Sequence, residues 1–353
     1  MKTVPCLGAC VALVSVSFVA GCNSHRTTTP KPSQPTRTAD DIFSIAPAGS
    51  GLRNVTKSPR SAEQLVSVAP NGKTLAFFRH GRLLVRDGQR ERTLGRGPSD
   101  ATSAFGAPPA WSRDGRRLAT VRGVGCTEVD CLQYGLWAVD VQTGTRTRVA
   151  RDGVDPVWLP GGKLTYAGDF RSLPGNPSRT EYDWLPTRYV VGNRHLRAGS
   201  RAVPSPRGNL VAYEGDHTGI FVMRLDETHR RRLTADPLVG LPLWSPDGKL
   251  LAFPCDYDSS LCVRDIAGRV LRREFGDVNI ATRPAWSRDG RFLAWVSAIT
   301  RNGRRSQEIF VGDVATGLAR RVTHFDSAQS DVDSIGWTAN RRIVFSGTGI
   351  PSR

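Results

Sequence analysis

The sequence predicts an all-β protein, a seven-bladed β-propeller whose last blade combines hairpins from the two ends of the propeller. Three observations carry this prediction. A Trp-Ser-x-Asp-Gly segment recurs along the chain, a second hairpin pattern lies between its copies, and one unpaired hairpin lies at each end. The chain has 353 residues, 39% of them hydrophobic, which suffices for a large folded core and excludes a wholly disordered protein.

The recurring segment has the chemistry of a β-hairpin. An apolar strand runs into an Asp-Gly turn, where glycine adopts the positive φ that a tight turn requires, and an alternating strand returns. The turn residues follow one another at intervals of 40 to 51 residues, the length of a four-stranded blade. Arg341 takes the place of glycine in the last copy. The copies occupy residues 66–78, 109–121, 156–168, 203–213, 242–253, 284–296 and 335–347.

Two residue types of the repeat are expected to serve the fold. Asp114, Asp247 and Asp289 occupy equivalent turns, so we interpret them as turn formers and not as catalytic carboxylates. Five of the eight tryptophans share one repeat position, and we expect them to pack between blades. They are Trp111, Trp158, Trp244, Trp286 and Trp337.

A second hairpin pattern completes each blade. Period-two alternation broken by a polar or glycine-containing turn predicts strands C and D after the strands A and B of the repeat. These hairpins occupy residues 82–94, 135–150, 187–197, 219–234, 261–275 and 309–323.

The two ends decide the number of blades. Residues 41–56 form an extra C–D hairpin before the first repeat, and residues 335–347 form an A–B hairpin with nothing after it. Joining the two gives a seventh blade, closes the ring and removes the exposed sheet edges of an open array. A six-bladed ring with a stray hairpin at each end is the alternative.

The N-terminus predicts export. Residues 1–21 have the layout of a signal peptide, in which Lys2 precedes an apolar stretch that ends in small residues. The end of this stretch and Cys22 resemble the lipobox of bacterial lipoproteins, so Cys22 is predicted to carry the lipid, palmitate included. An ordinary secretory peptide that contains Cys22 by chance is the alternative. The chain is therefore expected at the outer face of the cell membrane.

Two further segments follow the signal peptide. Residues 22–40 are rich in Thr, Pro and Ser and lack large apolar side chains, which predicts a lipidated cysteine followed by an extended tether. Residues 41–350 are predicted to form the propeller. No stretch is long and apolar enough for a multi-pass membrane protein.

The cysteines of the predicted propeller agree with export. Cys126 with Cys131, and Cys255 with Cys262, form two close pairs, and an even number in an oxidising compartment favours disulfides. A zinc site is the alternative, although neither pair has the Cys-x-x-Cys spacing.

The net charge of +17 comes from 49 Lys and Arg against 32 Asp and Glu. The basic residues are scattered, which favours a compositional origin on solvated faces over a dedicated polyanion site. Nucleic acid is not expected as a partner of an exported chain. The expected partners are the membrane, through the lipid anchor, and a protein or an anionic envelope polymer, bound by a monomer.

The repeat carries a family resemblance. The WSPDG-type copies, with strands such as LWAVD and DIF, resemble the WD-repeat-like propeller of the translocation protein TolB and its relatives, over roughly residues 41–347. This resemblance implies the propeller fold, and propellers of this type serve binders, peptidase lids and lyases. The extra N-terminal domain of TolB is replaced here by a short tether, and a C-terminal α/β-hydrolase domain is lacking, so neither role is carried over.

The candidate site is predicted where the B–C and D–A connections meet, because loops vary there on a rigid support. Residues 168–188 are predicted to form the longest B–C loop and residues 298–306 another. Aromatic and Arg side chains anchor binding interfaces. Aromatics that fold back on their own blade are the alternative for the long loop. The candidate binding residues are Phe170, Tyr182, Asp183, Trp184, Tyr257, Arg301, Arg304 and Arg305.

The function predicted from these features is non-catalytic binding at the cell envelope, with no cofactor. The alternative is a metal-assisted lyase or hydrolase that acts on an envelope or extracellular polymer. Its candidate metal ligands are His80, His217 and His324, near connections of three different blades. No nucleophile elbow, zinc-protease helix, phosphate loop or dinucleotide motif occurs in the sequence.

Overall fold

Seven four-stranded antiparallel sheets make up the fold in a computed structural model of the chain. In each sheet the strands follow one another as A, B, C and D from one edge to the other. The structure describes residues 40–58, 62–96, 107–126, 131–172, 184–191, 194–196, 202–215, 219–234, 242–255, 260–267, 272–276, 282–301, 303–325 and 330–350.

Blades 1 to 3 take their strands in chain order. Blade 1 contains β3 (Glu63–Val68), β4 (Leu75–Arg79), β5 (Arg82–Asp87) and β6 (Arg90–Arg96). Blade 2 contains β7 (Ala110–Trp111), β8 (Arg117–Cys126), β9 (Cys131–Asp140) and β10 (Arg146–Ala150). Blade 3 contains β11 (Val154–Trp158), β12 (Leu164–Ser172), β13 (Trp184–Val191) and β14 (Arg194–Leu196), with a 3-10 turn at Pro160–Gly162.

Blades 4 to 6 follow the same order. Blade 4 contains β15 (Val203–Pro204), β16 (Leu210–Glu214), β17 (Ile220–Arg224) and β18 (Arg231–Arg232). Blade 5 contains β19 (Leu243–Trp244), β20 (Leu250–Cys255), β21 (Ser260–Asp265) and β22 (Arg272–Phe275). Blade 6 contains β23 (Ala285–Trp286), β24 (Phe292–Arg301), β25 (Arg304–Asp313) and β26 (Ala319–Arg321).

Blade 7 closes the ring with strands from both ends of the propeller. Its sheet has the order β2 (Arg53–Asn54), β1 (Asp41–Ile45), β28 (Ile343–Thr348) and β27 (Asp331–Trp337). Strands β1 and β28 pair along their length, from Asp41 opposite Gly347 to Ile45 opposite Ile343. This arrangement confirms the predicted seventh blade, and the six-bladed alternative is wrong.

The repeat turns have the hydrogen bonding that their sequence predicts. In blade 2, the Ser112 hydroxyl donates to Asp114 over 2.6 Å, and the backbone N–H of Arg116 donates to the same carboxylate oxygen over 3.0 Å. These bonds lower the pKa of Asp114. Equivalent serine-to-aspartate bonds of 2.7 and 2.6 Å recur at Asp247 and Asp289. The three aspartates therefore form turns, as predicted, and Arg341 adopts the positive φ of the glycine that it replaces, at 58°.

The repeat tryptophans connect neighbouring blades. The indole N–H of Trp158 donates to the strand-A carbonyl of Ala110 in the preceding blade, over 3.0 Å. The corresponding bonds of Trp244, Trp286 and Trp337 measure 2.9, 3.2 and 2.9 Å. Because each bond joins strand A of one blade to strand A of the next, these residues pack between blades as predicted.

The core lies between the blades. Buried hydrophobic side chains of adjacent sheets form clusters at the seams, one of which contains Phe43, Phe345 and Trp337. Some arginines also connect blades, because the Arg117 guanidinium lies 4.4 Å over the ring of Trp158 and Arg146 donates to the Leu94 carbonyl over 3.0 Å. Part of the arginine content therefore serves the fold and not only solvated faces.

Within the described residues, no helix is long and apolar enough to cross a membrane.

Closure of the ring is tested by Phe43→Ala. Phe43 is 3% exposed, and its ring stacks on Phe345 with 5.6 Å between centroids. The substitution removes one ring from the cluster at the seam between blades 6 and 7, to which both ends of the propeller contribute. We therefore expect it to lower the free energy of unfolding by about 3–5 kcal/mol. Denaturant unfolding of the full chain measures this loss. A double-mutant cycle with Phe345→Ala should be non-additive, and a loss below about 1 kcal/mol would contradict the role of the seam.

Candidate functional site

The two ends of the propeller differ in the lengths of their connections. We call the end with the B–C and D–A connections the hairpin face, and the end with the A–B and C–D turns the turn face. Strands β8, β9, β24 and β25 have 10 residues each, whereas β4, β16 and β17 have five. Strands β12 and β13 are similarly long, with nine and eight residues. The remaining B and C strands have five or six residues. At about 3.3 Å per residue, the hairpins of blades 2 and 6 extend roughly 13–16 Å further on the hairpin face than these, and the hairpin of blade 3 roughly 7–13 Å further.

The extended hairpins correct two predicted loops. Residues 168–188 are not wholly a loop, because β12 and β13 remain paired as far as Ser172 opposite Trp184. Residues 298–306 form the end of the β24–β25 ladder, which continues to Arg301 opposite Arg304 around a turn at Gly303, whose φ is +73°. Trp184, which the sequence places in a loop, is thus the first residue of a strand.

Several candidate binding residues lie on these hairpins. Phe170 pairs with Pro186 in the blade 3 hairpin, next to the Trp184 end of the ladder. Arg301 and Arg305 are exposed at the tip of the blade 6 hairpin, and Arg304 lies between them in strand β25. The other three candidates, Tyr182, Asp183 and Tyr257, lie outside the described residues.

The predicted cysteine pairs lie near the ends of two B–C hairpins. Cys255 and Cys262 are bonded, with their sulfur atoms 2.12 Å apart, as the disulfide prediction expects. Cys126 lies directly opposite Cys131 in the β8–β9 ladder. The side chains of this second pair lie outside the described part of the structure, so its disulfide stays a prediction.

The candidate metal ligands are separated along the ring. His80 is exposed in the B–C turn of blade 1, and His324 is exposed after strand D of blade 6. His217 lies outside the described residues. Where the structure describes the chain, no group of three or more His, Cys, Asp or Glu side chains is placed to hold a metal ion.

Carboxylates gather where strand A of blade 7 begins. Asp333 is the bulged residue of β27, between Val332 opposite Gly347 and Ser334 opposite Ser346. Asp333 keeps access to solvent, although protein atoms pack closely around its carboxyl group. This desolvation, together with the negative charges of Asp40 and Asp331, raises the pKa of Asp333 to about 7. The hairpin-face end of blade 7 therefore carries a carboxyl group that titrates near neutral pH.

An ion pair joins two opposite blades. Arg283, which precedes strand A of blade 6, donates to Asp155 in strand A of blade 3 over 2.9 Å. Blades 3 and 6 face each other in a ring of seven, so this pair crosses the central channel. Asp155 lies in a β-bulge with φ of +49°, a conformation that is uncommon for a non-glycine residue.

A cavity of about 760 Å³ opens in the channel towards the turn face. It is lined by strands A and A–B turns of blades 1, 2, 5, 6 and 7. Its polar lining includes Ser67, Arg113 and Arg288, and its apolar lining includes Trp111, Trp286, Trp337 and several prolines. The buried indole nitrogen of Trp111 and the buried hydroxyl of Ser67 have no hydrogen-bond partner among the described residues.

Sequence patterns contain weak or no signals for these channel residues. Arg113 and Arg288 occupy the same variable position of the repeat turn, which was visible but indicates only a turn. Asp155 and Arg283 are 128 residues apart, and only the closed ring brings them together. Asp333, whose pKa is raised, lies in a β-bulge that no sequence pattern predicts.

Comparisons with known proteins agree with this architecture. No protein-family profile matches the chain. Two curated relatives, each the Tol-Pal system protein TolB, come from Anaeromyxobacter sp. (strain K) and Anaeromyxobacter dehalogenans, and each is 32% identical over 95 residues. The match covers 26% of this chain and about a fifth (21%) of the length of each relative.

Solved structures show the same fold. The oligogalacturonate lyase of Vibrio parahaemolyticus aligns with a TM-score of 0.61 at 12% identity, over 88% of this chain and 97% of its own. An oligogalacturonate lyase in complex with manganese gives 0.57 at 14%, over 90% and 98%. The β-propeller domain of Myceliophteria thermophila Cps50 (Swd1) gives 0.52 at 14%, over 80% and 96%. The body of the chain is therefore a seven-bladed β-propeller, and part of it resembles TolB in sequence.

Asp333→Asn tests the titrating carboxyl group. The folded chain keeps a proton on Asp333 up to about pH 7, whereas an unfolded aspartate loses it near pH 4. The free energy of unfolding of the wild type should therefore fall as pH rises through this window, and the variant should lack this fall. Thermal melts between pH 4 and pH 8 measure both profiles. Parallel profiles for wild type and variant would contradict the raised pKa.

Proposed function

We propose that the chain is an exported, lipid-anchored β-propeller that acts as a non-catalytic binding module at the cell envelope, with its partner bound on the hairpin face. One observation carries this proposal: three B–C hairpins extend beyond the others on that face, and one of them ends in the exposed Arg301 and Arg305. A closed ring supplies a rigid support for such hairpins, which is the arrangement that positions recognition residues on a scaffold.

The partner proposed is a protein or an anionic envelope polymer. Arginine side chains present several donors in a planar fork that suits carboxylate and phosphate groups, and they are enriched in binding interfaces. The relatives named Tol-Pal system protein TolB support an envelope role for this chain, and their partial match supports a protein partner first. The blade 3 hairpin, with Phe170 and Trp184, completes the proposed surface.

The anchor is tested by Cys22→Ala. Because the cysteine is the proposed site of acylation, the substitution should abolish lipid attachment and move the chain from the membrane fraction to the soluble fraction. Fractionation and intact-mass measurement of wild type and variant check this outcome. An unmodified wild-type N-terminus, or unchanged membrane retention of the variant, would overturn the lipoprotein proposal.

The binding role is tested by capture from envelope extracts with the full chain as bait. Arg301→Gln/Arg305→Gln should lose the captured partner, because it removes both exposed cations from the hairpin tip. The matched control, Arg116→Gln/Lys163→Gln, removes the same charge from the turn face and should keep it.

A metal and activity assay of the same sample separates a binder from an enzyme. Equal capture by both variants would overturn the proposed face. One equivalent of bound metal together with cleavage of an added polymer, such as polygalacturonate, would replace the binding role by the lyase alternative.

A further inference from the structure

We propose that the turn-face cavity is a docking site for an acidic, extended segment of a partner polypeptide. This inference rests on the binding role proposed above, but it places a second contact at the opposite end of the propeller. The cavity measures about 760 Å³, a size typical of ligand sites, and five of the seven blades contribute to its wall.

Two hydrogen-bonding groups of the cavity wall are left without a partner. Trp158, Trp244, Trp286 and Trp337 each donate their indole N–H to the strand-A carbonyl of the preceding blade. Trp111, at the same repeat position, does not, and the hydroxyl of Ser67 on the preceding blade is likewise without a partner in the described structure. A buried polar group without a hydrogen bond is destabilising, so acceptor atoms that entered the cavity would be favoured there.

The cause of this local difference lies in strand A of blade 1. The β3–β4 register shifts between Gln64 and Ser67, and Leu65 has a positive φ of 57°. The Trp position of this blade is occupied by Val68, so no indole connects it to blade 7 either. At the seam between blades 1 and 2, the Trp111 indole N–H and the Ser67 hydroxyl are therefore available to a ligand.

Two arginines give the cavity its charge. Arg113 and Arg288 line it, and both are exposed. Neither forms an ion pair with a carboxylate among the described residues, in contrast to Arg291, which donates to Asp313 over 3.0 Å. Guanidinium groups bind carboxylates through paired, charge-assisted hydrogen bonds.

The A–B turns around the cavity are also positively charged. The seven A–B turns carry only three acidic residues, Asp114, Asp247 and Asp289, each bonded within its own turn. The A–B turns, which lie nearest the channel, therefore carry a net positive charge and favour an acidic partner. The outer C–D turns of the same face also contain acidic residues, namely Asp87, Asp140, Asp226, Glu227, Asp265 and Asp313. The exposed cations of the A–B turns are Lys73, Arg113, Arg116, Lys163, Arg207, Lys249, Arg288, Arg291 and Arg341.

The apolar wall selects a polypeptide among acidic partners. Trp286 and Trp337 are only 8% and 5% exposed, so they offer little ring surface on which sugar rings could stack. Prolines and aliphatic side chains, such as Val66 and Ile335, form the rest of the wall and suit the side chains of an extended peptide. The chain's own residues 23–39 contain Arg and Lys but no Asp or Glu, so charge disfavours them as the occupant.

The experiment measures binding of a fluorescein-labelled, alternating Glu-Pro peptide to the full chain by anisotropy. At about 150 mM salt we expect Arg113→Gln/Arg288→Gln to weaken binding about tenfold or more. Trp111→Phe should weaken it about threefold, because it removes the N–H while nearly keeping the ring volume. The control Arg116→Gln/Lys163→Gln loses the same charge from the same face and should change affinity less than about twofold.

Three results would overturn the docking site. They are no binding of the Glu-Pro peptide, equal weakening by the two double variants, and tighter, Arg113-dependent binding of polyphosphate or polygalacturonate. An alternating Lys-Pro peptide should not bind. Because capture from envelope extracts depends on Arg301 and Arg305, Arg113→Gln/Arg288→Gln should retain it. Failure at the turn face is thereby distinguished from failure of the proposed function.

Discussion

The pairing of β1 with β28 is the constraint on which the rest of the propeller depends. These strands come from opposite ends of the propeller, and their register runs without interruption from Asp41 to Ile45. Bringing them together carries a large loop-closure entropy, which the seams between all seven blades offset together. Both the hairpin face and the channel exist only in the closed ring, because their residues come from different blades.

The blade architecture was predictable because it is written in a local code. Each repeat turn sets one hairpin, and the spacing of the turns sets the blade length, so seven blades follow from counting the repeats. Even the exception at Arg341 was visible in the sequence, and this residue adopts the positive φ of the glycine that it replaces. The hairpin ends were less well predicted. The Asn-Gly pair at residues 302–303 is a hairpin signal, yet residues 298–306 were predicted to form a loop. Backbone pairing extended the ladder regardless of their side chains, because it satisfies their N–H and C=O groups.

The candidate sites could be predicted only in part, since they depend on the closed ring. Arg301 and Arg305 were predictable because they share one B–C connection, and the structure leaves both exposed. Arg113 and Arg288 lie far apart in the chain and line one cavity only because blades 2 and 6 face the same channel. The indole of Trp111, which has no hydrogen-bond partner in the described part of the chain, faces a blade whose strand A has a register shift. Patterns in a single sequence do not show which residues far apart in the chain come together in the folded ring.

The Arg283–Asp155 pair crosses a channel whose two ends carry different charged groups. At one end lie Asp333 and its neighbouring carboxylates, and at the other lies the cavity with Arg113 and Arg288. An acidic group close to ionised Asp333 meets like charge, whereas one close to Arg113 and Arg288 meets opposite charge. The two ends of the channel therefore differ in charge, so a charged partner would distinguish one end from the other.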